Sequence, residues 1–199
     1  MKHAPPNDNV PRCGWVKGGN ALYYDYHDNE WGVPVHDDQR HFEFLILEGM
    51  QAGLSWATVL NKRENYRRAF ANFIPQQVAL FSDKKIASLL QNAGLIRNRL
   101  KIHAAVNNAR CFLNIIEEFD SFDAYVWRFV GGKPIQNHWQ CLTDVPAISR
   151  ESKALSADLK KRGFKFVGDT IIYAHMQGVG MVNDHEVRCF RHQQCAVMA

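Results

Sequence analysis

Four residues near the two ends of this chain carry side chains that bind borderline metal ions: Cys13 and His27 close to the start, His185 and Cys189 close to the finish. His185 and Cys189 are four positions apart, a spacing that on a helix puts both side chains on one face. Two imidazoles and two thiolates make a closed tetrahedral donor set suited to Zn²⁺. Such an ion would be structural, tying distant segments together and removing on the order of 5 kcal/mol of unfolded-chain entropy by the loop formula for covalent bridges. A plainer reading also fits, in which the thiols are small core residues and the imidazoles are satisfied by hydrogen bonds.

Glu48 is the second chemical feature. It follows Phe42, Phe44, Leu45, Ile46 and Leu47, and its helical neighbours Phe44, Leu45, Gln51 and Ala52 include no basic partner. A carboxylate in such company either faces solvent or is kept for a ligand. Buried without a partner it would cost several kcal/mol until a cation or a donor arrived.

The third feature is the stretch Arg162-Gly163-Phe164-Lys165-Phe166-Val167-Gly168, between a charged helix ending near Lys161 and an apolar one starting near Thr170. Glycines at both ends permit a tight turn and a close approach, and leave main-chain N–H groups at the mouth of the second helix. That is a phosphate seat, and nearby lysines would add affinity for nucleic acid without reading its sequence. A plain helix–helix connector with a solvated charge run has the same composition. Asp169 works against an anion here if its carboxylate caps the following helix.

The elements that must position these groups are helical. From about Gln39 onward apolar residues recur at steps of three and four, as in Leu45, Ile46 and Gly49 and again in Ile102, Val106, Ala109, Leu113 and Ile116, whereas no alternating strand pattern stands out. Gly53, Pro75, Gly94 and the Gly131-Gly132 pair divide the chain into about eight to ten short helices. Residues 1–11 read as a flexible leader, 12–190 as one all-α domain and 191–199 as a flexible tail.

With 199 residues, 46% hydrophobic and 22% charged, the chain can bury one sizeable core. A net charge of +4 permits an anionic partner without requiring one. Five cysteines, odd in number and unevenly spread, do not form a disulfide framework and point to a reducing compartment. Without an apolar run of about 18 residues or a signal-like start, neither export nor a membrane partner is expected, and a cytoplasmic protein is.

In combination, Arg12-Cys13-Gly14-Trp15, Tyr26-His27-Asp28-Asn29-Glu30-Trp31-Gly32, Leu47-Glu48-Gly49, Gln51-Ala52-Gly53-Leu54-Ser55-Trp56, the glycine hairpin and Val182-Asn183-Asp184-His185 resemble the bacterial 3-methyladenine DNA glycosylase I family, a branch of the helix-hairpin-helix glycosylases. The resemblance runs from about Arg12 to Cys189. It implies a helix-hairpin-helix fold whose ends are stapled by one structural zinc on Cys13, His27, His185 and Cys189. It further implies a monomeric repair enzyme, associated with the bacterial nucleoid when on DNA, that flips 3-methyladenine out of alkylated double-stranded DNA and hydrolyses its glycosidic bond with no lyase step. Most of the superfamily places a catalytic aspartate where this chain has Asn183, and a neutral amide can neither act as a carboxylate base nor balance an oxocarbenium charge.

That departure suits the substrate. Methylation at N3 leaves the base cationic while still attached to sugar, so the leaving group departs neutral and discrimination becomes the harder task. Electron-rich ring faces attract a cation, and Trp15, Tyr23, Tyr26 and Trp56 are the expected cage, with Trp56 the stacking platform by its place in the family motif. Trp31, Trp127 and Trp139 are expected in the core. By the same resemblance Glu48 is the residue that reads the base and the one side chain assigned to catalysis. Leu54, between Gly53 and Ser55, is the expected wedge into the vacated stack, and Arg162, Gly163, Phe164, Lys165 and Gly168 the expected DNA contacts. A zinc-stapled binding module would need neither cage nor Glu48. A zinc hydrolase would need an open coordination position, and a Cys189 nucleophile paired with His185 is excluded once both bind metal.

Overall fold

The computed structural model describes residues 9–198, so most of the expected leader lies outside the described residues. Eleven α-helices follow one another there: α1 (Ala21–Asn29), α2 (Asp38–Gln51), α3 (Trp56–Leu60), α4 (Arg63–Ala69), α5 (Pro75–Val78), α6 (Asp83–Gln91), α7 (Arg99–Phe119), α8 (Phe122–Trp127), α9 (Arg150–Lys161), α10 (Asp169–Gly178) and α11 (Phe190–Ala196). Their starts are chemically marked. Asp37, Ser55, Ser82, Asn98, Ser121 and Ser149 each accept the N–H of the third residue on, satisfying one of the donors a helix leaves open at its N-terminus. None of these helices is long and apolar enough to cross a membrane.

Helix α2 is the central post. Every residue from His41 to Met50 is buried, and α3, α7, α8 and α10 pack around it. The two charged residues within that run are handled differently. Glu43 accepts from Arg63 at 2.9 Å, Arg67 at 2.7 Å and Arg40 at 2.9 Å, and Arg40 and Arg63 also reach Glu30 on the turn after α1. Glu48, by contrast, has no such partner among the described residues. The long helix α7 supplies the opposite wall, burying Ile102, Val106 and Ala109 as the periodicity predicts and leaving Leu113 and Ile116 half-buried.

Two expectations need correction. Ile135–Gln136 (β1) and Val182–Asn183 (β2) pair as a two-residue parallel bridge, too short to show any alternation in sequence. The segment expected as a tail is helical through Ala196, with Arg191, His192 and Cys195 buried. His192 Nε2 donates to Asn137 O, 2.8 Å away, its own carbonyl accepts from Asn183, and the Phe190 N–H donates to the Pro11 carbonyl at 3.0 Å, so this short helix is bound to the body of the fold and to the chain's other end rather than trailing from it.

Candidate functional site

Cys13, His27, His185 and Cys189 converge, all buried, with their ligand atoms within 4.8 Å of one another. Sγ of Cys13 is 3.4 Å from Nδ1 of His185, and Sγ of Cys189 is 3.5 Å from Nε2 of His27 and 3.6 Å from Nδ1 of His185. A tetrahedron with ordinary Zn–S and Zn–N bond lengths has S···N edges of about 3.5 Å, so the donor set has the size that a zinc ion requires. The free imidazole nitrogens are held as metal-binding histidines usually are, His27 Nδ1 by Asp28 at 2.7 Å and His185 Nε2 by the Trp31 carbonyl at 3.0 Å. A hydrogen bond between the two thiols pushes Cys13 up and Cys189 down. Gly32, at φ +78°, lets the backbone pass this cluster; a Cβ there would lie 2.9 Å from His185 Nε2.

One detail differs from the sequence reading. His185 and Cys189 do not share a helix face: the chain between them is a turn, closed by Cys189 N–H on the Glu186 carbonyl, and Cys189 is the residue before α11. The turn brings the two ligands together as the four-residue helical spacing would have.

Beside the cluster lies an open cavity of about 210 Å³ with Trp15, Tyr23, Tyr26, Glu48 and Trp56 in its walls. All five residues expected to face a base are therefore brought together. The helix α1 presents Tyr23 and Tyr26, α2 presents Glu48, and Ser55 caps α3 so that Trp56 opens that helix toward the cavity. The rings form a continuous array: Trp15 meets Tyr23 edge-to-face at 5.1 Å, and Trp15 with Tyr26 at 6.4 Å and Tyr26 with Trp56 at 5.3 Å are tilted, between centroids. Burial raises both phenols, Tyr26 well above the ordinary range. Glu48 is 4% exposed, and burial alone pushes its carboxyl up to about 8. The indole N–H groups of Trp15 and Trp56 are buried without partners. The cavity thus offers ring faces, unpaired donors and one uncompensated carboxyl, a set that leaves polar groups waiting for a ligand.

Several wall residues were not expected. Trp31 is buried in the core as expected but also lines the cavity and packs edge-on against both Trp15 at 5.1 Å and His185 at 4.6 Å, so it joins cavity to Cys/His cluster. Gln51 lies one turn beyond Glu48 on the same face of α2, a spacing that could have identified it. Asp184 is 2% exposed and its carboxylate accepts four hydrogen bonds, from Asn137 at 2.7 Å, Trp139 at 2.8 Å, Tyr173 at 2.8 Å and Gln177 at 2.8 Å. Trp139 is thus a bonded, half-buried residue rather than core, whereas Trp127 is buried with its indole on the Val35 carbonyl. Asn183 turns away from the cavity: its amide donates to Gln136 at 2.8 Å and to the His192 carbonyl at 2.9 Å.

The glycine hairpin joins α9 to α10 as expected, with Gly163 at φ +91°. Its residues do not all face outward. Phe164 is 2% exposed and packs near Phe122, so its side chain belongs to the core rather than to a DNA surface. Arg162 is engaged by Glu118 at 2.6 Å and Asp158 at 2.7 Å and lies over Phe119 and Tyr125, which leaves its guanidinium committed within the fold. Lys165 is exposed, and nothing lies within 4 Å of where a Gly168 Cβ would stand. Asp169 does not cap α10; its carboxylate takes Ser156 at 2.7 Å and Lys160 at 3.1 Å, and these two hold it below the usual range. Leu54 is 43% exposed on the turn after α2, where Gly53 sits at φ +76°.

Against known proteins, residues 15–192 match the family model described as methyladenine glycosylase. DNA-3-methyladenine glycosylase 1 of Escherichia coli is 51% identical over 180 residues, covering 90% of this chain and 96% of that protein. DNA-3-methyladenine glycosylase of Haemophilus influenzae is 49% identical over 178 residues, covering 89% and 96%. Among solved structures, a crystal structure of 3-methyladenine DNA glycosylase I superposes with a TM-score of 0.89 at 50% identity, over 92% of this chain and all 100% of that one. The Staphylococcus aureus enzyme, in a structure addressing 3-methyladenine recognition, gives 0.87 at 33% identity over 92% and 97%.

Proposed function

The chain belongs to the methyladenine glycosylase family, and from that premise and its cavity we propose how it works: it excises 3-methyladenine from alkylated DNA by flipping the lesion into the aromatic cavity and hydrolysing its bond to sugar. The observation that carries this reading is the pairing of Glu48, buried and unpartnered, with the faces of Trp15, Tyr26 and Trp56 around one cavity. A cationic purine gains from the ring faces and meets a carboxyl whose ionisation it stabilises; neutral adenine gains neither. Glu48 then accepts from the exocyclic amine and holds the base, and the indole N–H groups supply donors for ring nitrogens. Discrimination is obtained as differential binding of charge, and the positive base needs little further help to leave.

Neither residue of the Asn183-Asp184 loop is free to serve as a strong base. Asp184, though in the cavity wall, has its oxygens saturated by four donors, and Asn183 is bonded elsewhere. Among the described residues lining the cavity there is no lysine that could form a Schiff base with the sugar, which favours simple hydrolysis over strand cleavage.

Cys13, His27, His185 and Cys189 hold one structural Zn²⁺; four protein ligands leave no position for water, so the ion fixes the cavity wall at Trp15, Tyr26 and Trp31 and takes no part in the reaction. The DNA is held by Lys165 and the N–H groups at the start of α10, and Leu54 fills the space the flipped base leaves.

Incubation of the protein with methylated duplex DNA, with released bases identified by mass, tests the reading. Release of 3-methyladenine and no unmodified adenine is expected. Tight binding to the DNA with no base released would replace this function with that of a zinc-stapled binding module.

A further inference from the structure

The C-terminal end of α2 presents a packing problem of its own. A helix leaves its last carbonyls without backbone partners; the chain leaves this one at Ala52 (φ −43°, ψ 114°), where the Leu54 N–H takes the Gln51 carbonyl but the carbonyls of Met50 and Ala52 take no backbone N–H. Yet the next residues are Gly53, Leu54 and Ser55, the turn assigned to the DNA wedge, and Trp56, the stacking platform.

The partner comes from α7. Lys101 is 6% exposed, and its ammonium donates to the carbonyls of Met50 at 2.8 Å and Ala52 at 2.6 Å. A cation at a helix C-terminus also meets the negative end of the helix dipole. Further along the same helix, Asn107 donates to the Gly163 carbonyl at 2.9 Å, and Asn108 both donates to the Lys165 carbonyl and accepts its N–H, each at 2.8 Å. These are the two sides of the glycine hairpin. Gly49 of α2 and Phe166 of the hairpin meet in the cleft between, along with Lys101 and Asn108, and a Cβ on Gly49 would stand 3.4 Å from the Phe166 Cβ.

One helix therefore grips both turns that face DNA. Lys101 and Asn108 are seven positions apart, about 10 Å of helix at 1.5 Å per residue. A wedge can enter the stack at the lesion only if it sits at a set distance from the phosphate the hairpin holds, and errors of an ångström in such placements cost about a hundredfold in rate.

We propose that Lys101 is a positioning residue, whose ammonium, by holding the Met50 and Ala52 carbonyls, sets the Leu54 turn at a fixed spacing from the hairpin that Asn107 and Asn108 hold on the same helix. This rests on the reading of Leu54 as the wedge, and the experiment separates the two. Excision would be measured on 3-methyladenine in duplex and in single-stranded DNA for Lys101→Met, which keeps the aliphatic stem, for Leu54→Ala, and for the double variant; binding of free 3-methyladenine would be followed by tryptophan fluorescence.

Lys101→Met is expected to lower kcat/KM on duplex by about tenfold or more, with single-stranded activity and free-base affinity within about twofold of the parent. The double variant is expected to lose little beyond Leu54→Ala, because a misplaced wedge and an absent wedge fail alike. Equal losses on duplex and single strand, or additive losses in the double variant, would overturn the positioning role and leave Lys101 as a stabilising residue. No duplex-selective loss in Leu54→Ala would overturn the wedge reading itself. Lys101→Gln retains a donor for one carbonyl and is expected to fall between parent and Met variant, which keeps the test available if the Met variant does not fold.

Discussion

Glu48→Gln should make the protein more stable and less able to recognise its base, and the gain should grow with pH in a calculable way. Burial raises the Glu48 carboxyl from 4.5 to about 8, so the folded state binds this proton more tightly than the unfolded one. Its contribution is therefore full below pH 4.5 and is lost as pH rises toward 8. At 1.36 kcal/mol per unit, the loss is about 3 kcal/mol by pH 7 and levels off at about 5 kcal/mol above pH 8. Glutamine has nearly the same shape and is neutral throughout, so it escapes the loss. Urea denaturation of parent and variant at pH 5 and pH 8 isolates the term, because every other titrating group is shared and cancels in the difference. The variant's advantage should be under about 1 kcal/mol at pH 5 and several times that at pH 8, while its affinity for 3-methyladenine falls. A pH-independent difference would show that Glu48 is solvated or paired, and the account of the cavity as a charge-selective slot would go with it.

Three further outcomes are expected. Cys189→Ser, or removal of the metal by a chelator, should lower stability in urea by up to about 5 kcal/mol with loss of bound zinc; unchanged melts with four intact ligands and no metal would refute the staple. Lys165→Ala should reduce the slope of log affinity against log salt on DNA by about 1, whereas Arg162→Ala should leave that slope unchanged, since Glu118 and Asp158 already neutralise the guanidinium. His175, fully buried with both ring nitrogens unpartnered, is lowered by burial from 6.5 to about 3, so its contribution is complete above pH 6.5 and is lost as pH falls toward 3. At pH 5 that loss is about 2 kcal/mol, and His175→Phe should remove it from the acid limb of a urea-stability profile; an unaltered limb would show the imidazole to be hydrated or charged in the fold.

What could be seen in the sequence was what depends on local spacing. The helical steps of α2 and α7 and the paired glycines of the hairpin each carry their signal within a few residues of one another, whereas the aromatic residues around Glu48, spread from Trp15 to Trp56, were singled out with the family resemblance. The convergence of Cys13, His27, His185 and Cys189 was legible for a different reason, since few side-chain sets other than Cys₂His₂ have so narrow a chemical use. What was hidden depends on partners far apart in the chain. Nothing near Arg162 announces Glu118, nothing near Lys101 announces the carbonyls at the end of α2, and the β1–β2 bridge consists of two residues on each side. Arg162 was read by its charge, when the fold had already committed that charge to Glu118 and Asp158.

Asn183 and Asp184 make the same point for chemistry. In extended chain, neighbouring side chains point to opposite sides, so a shift of one position exchanges the residue facing a cavity with the one facing away. Here the inward residue is Asp184, and the place where a catalytic carboxylate is expected is filled by an amide bonded to Gln136 and His192. A carboxylate is present in the cavity after all, but one with Asn137, Trp139, Tyr173 and Gln177 on its oxygens has no lone pair well placed to take a proton from water. Of the three acids in the cavity wall, Glu186 is held by the Gly14 N–H and Arg188, and the other two are opposites. Asp184 is fully bonded and inert; Glu48 is unbonded and responsive, and it is the second kind of carboxyl that a positively charged base can recognise.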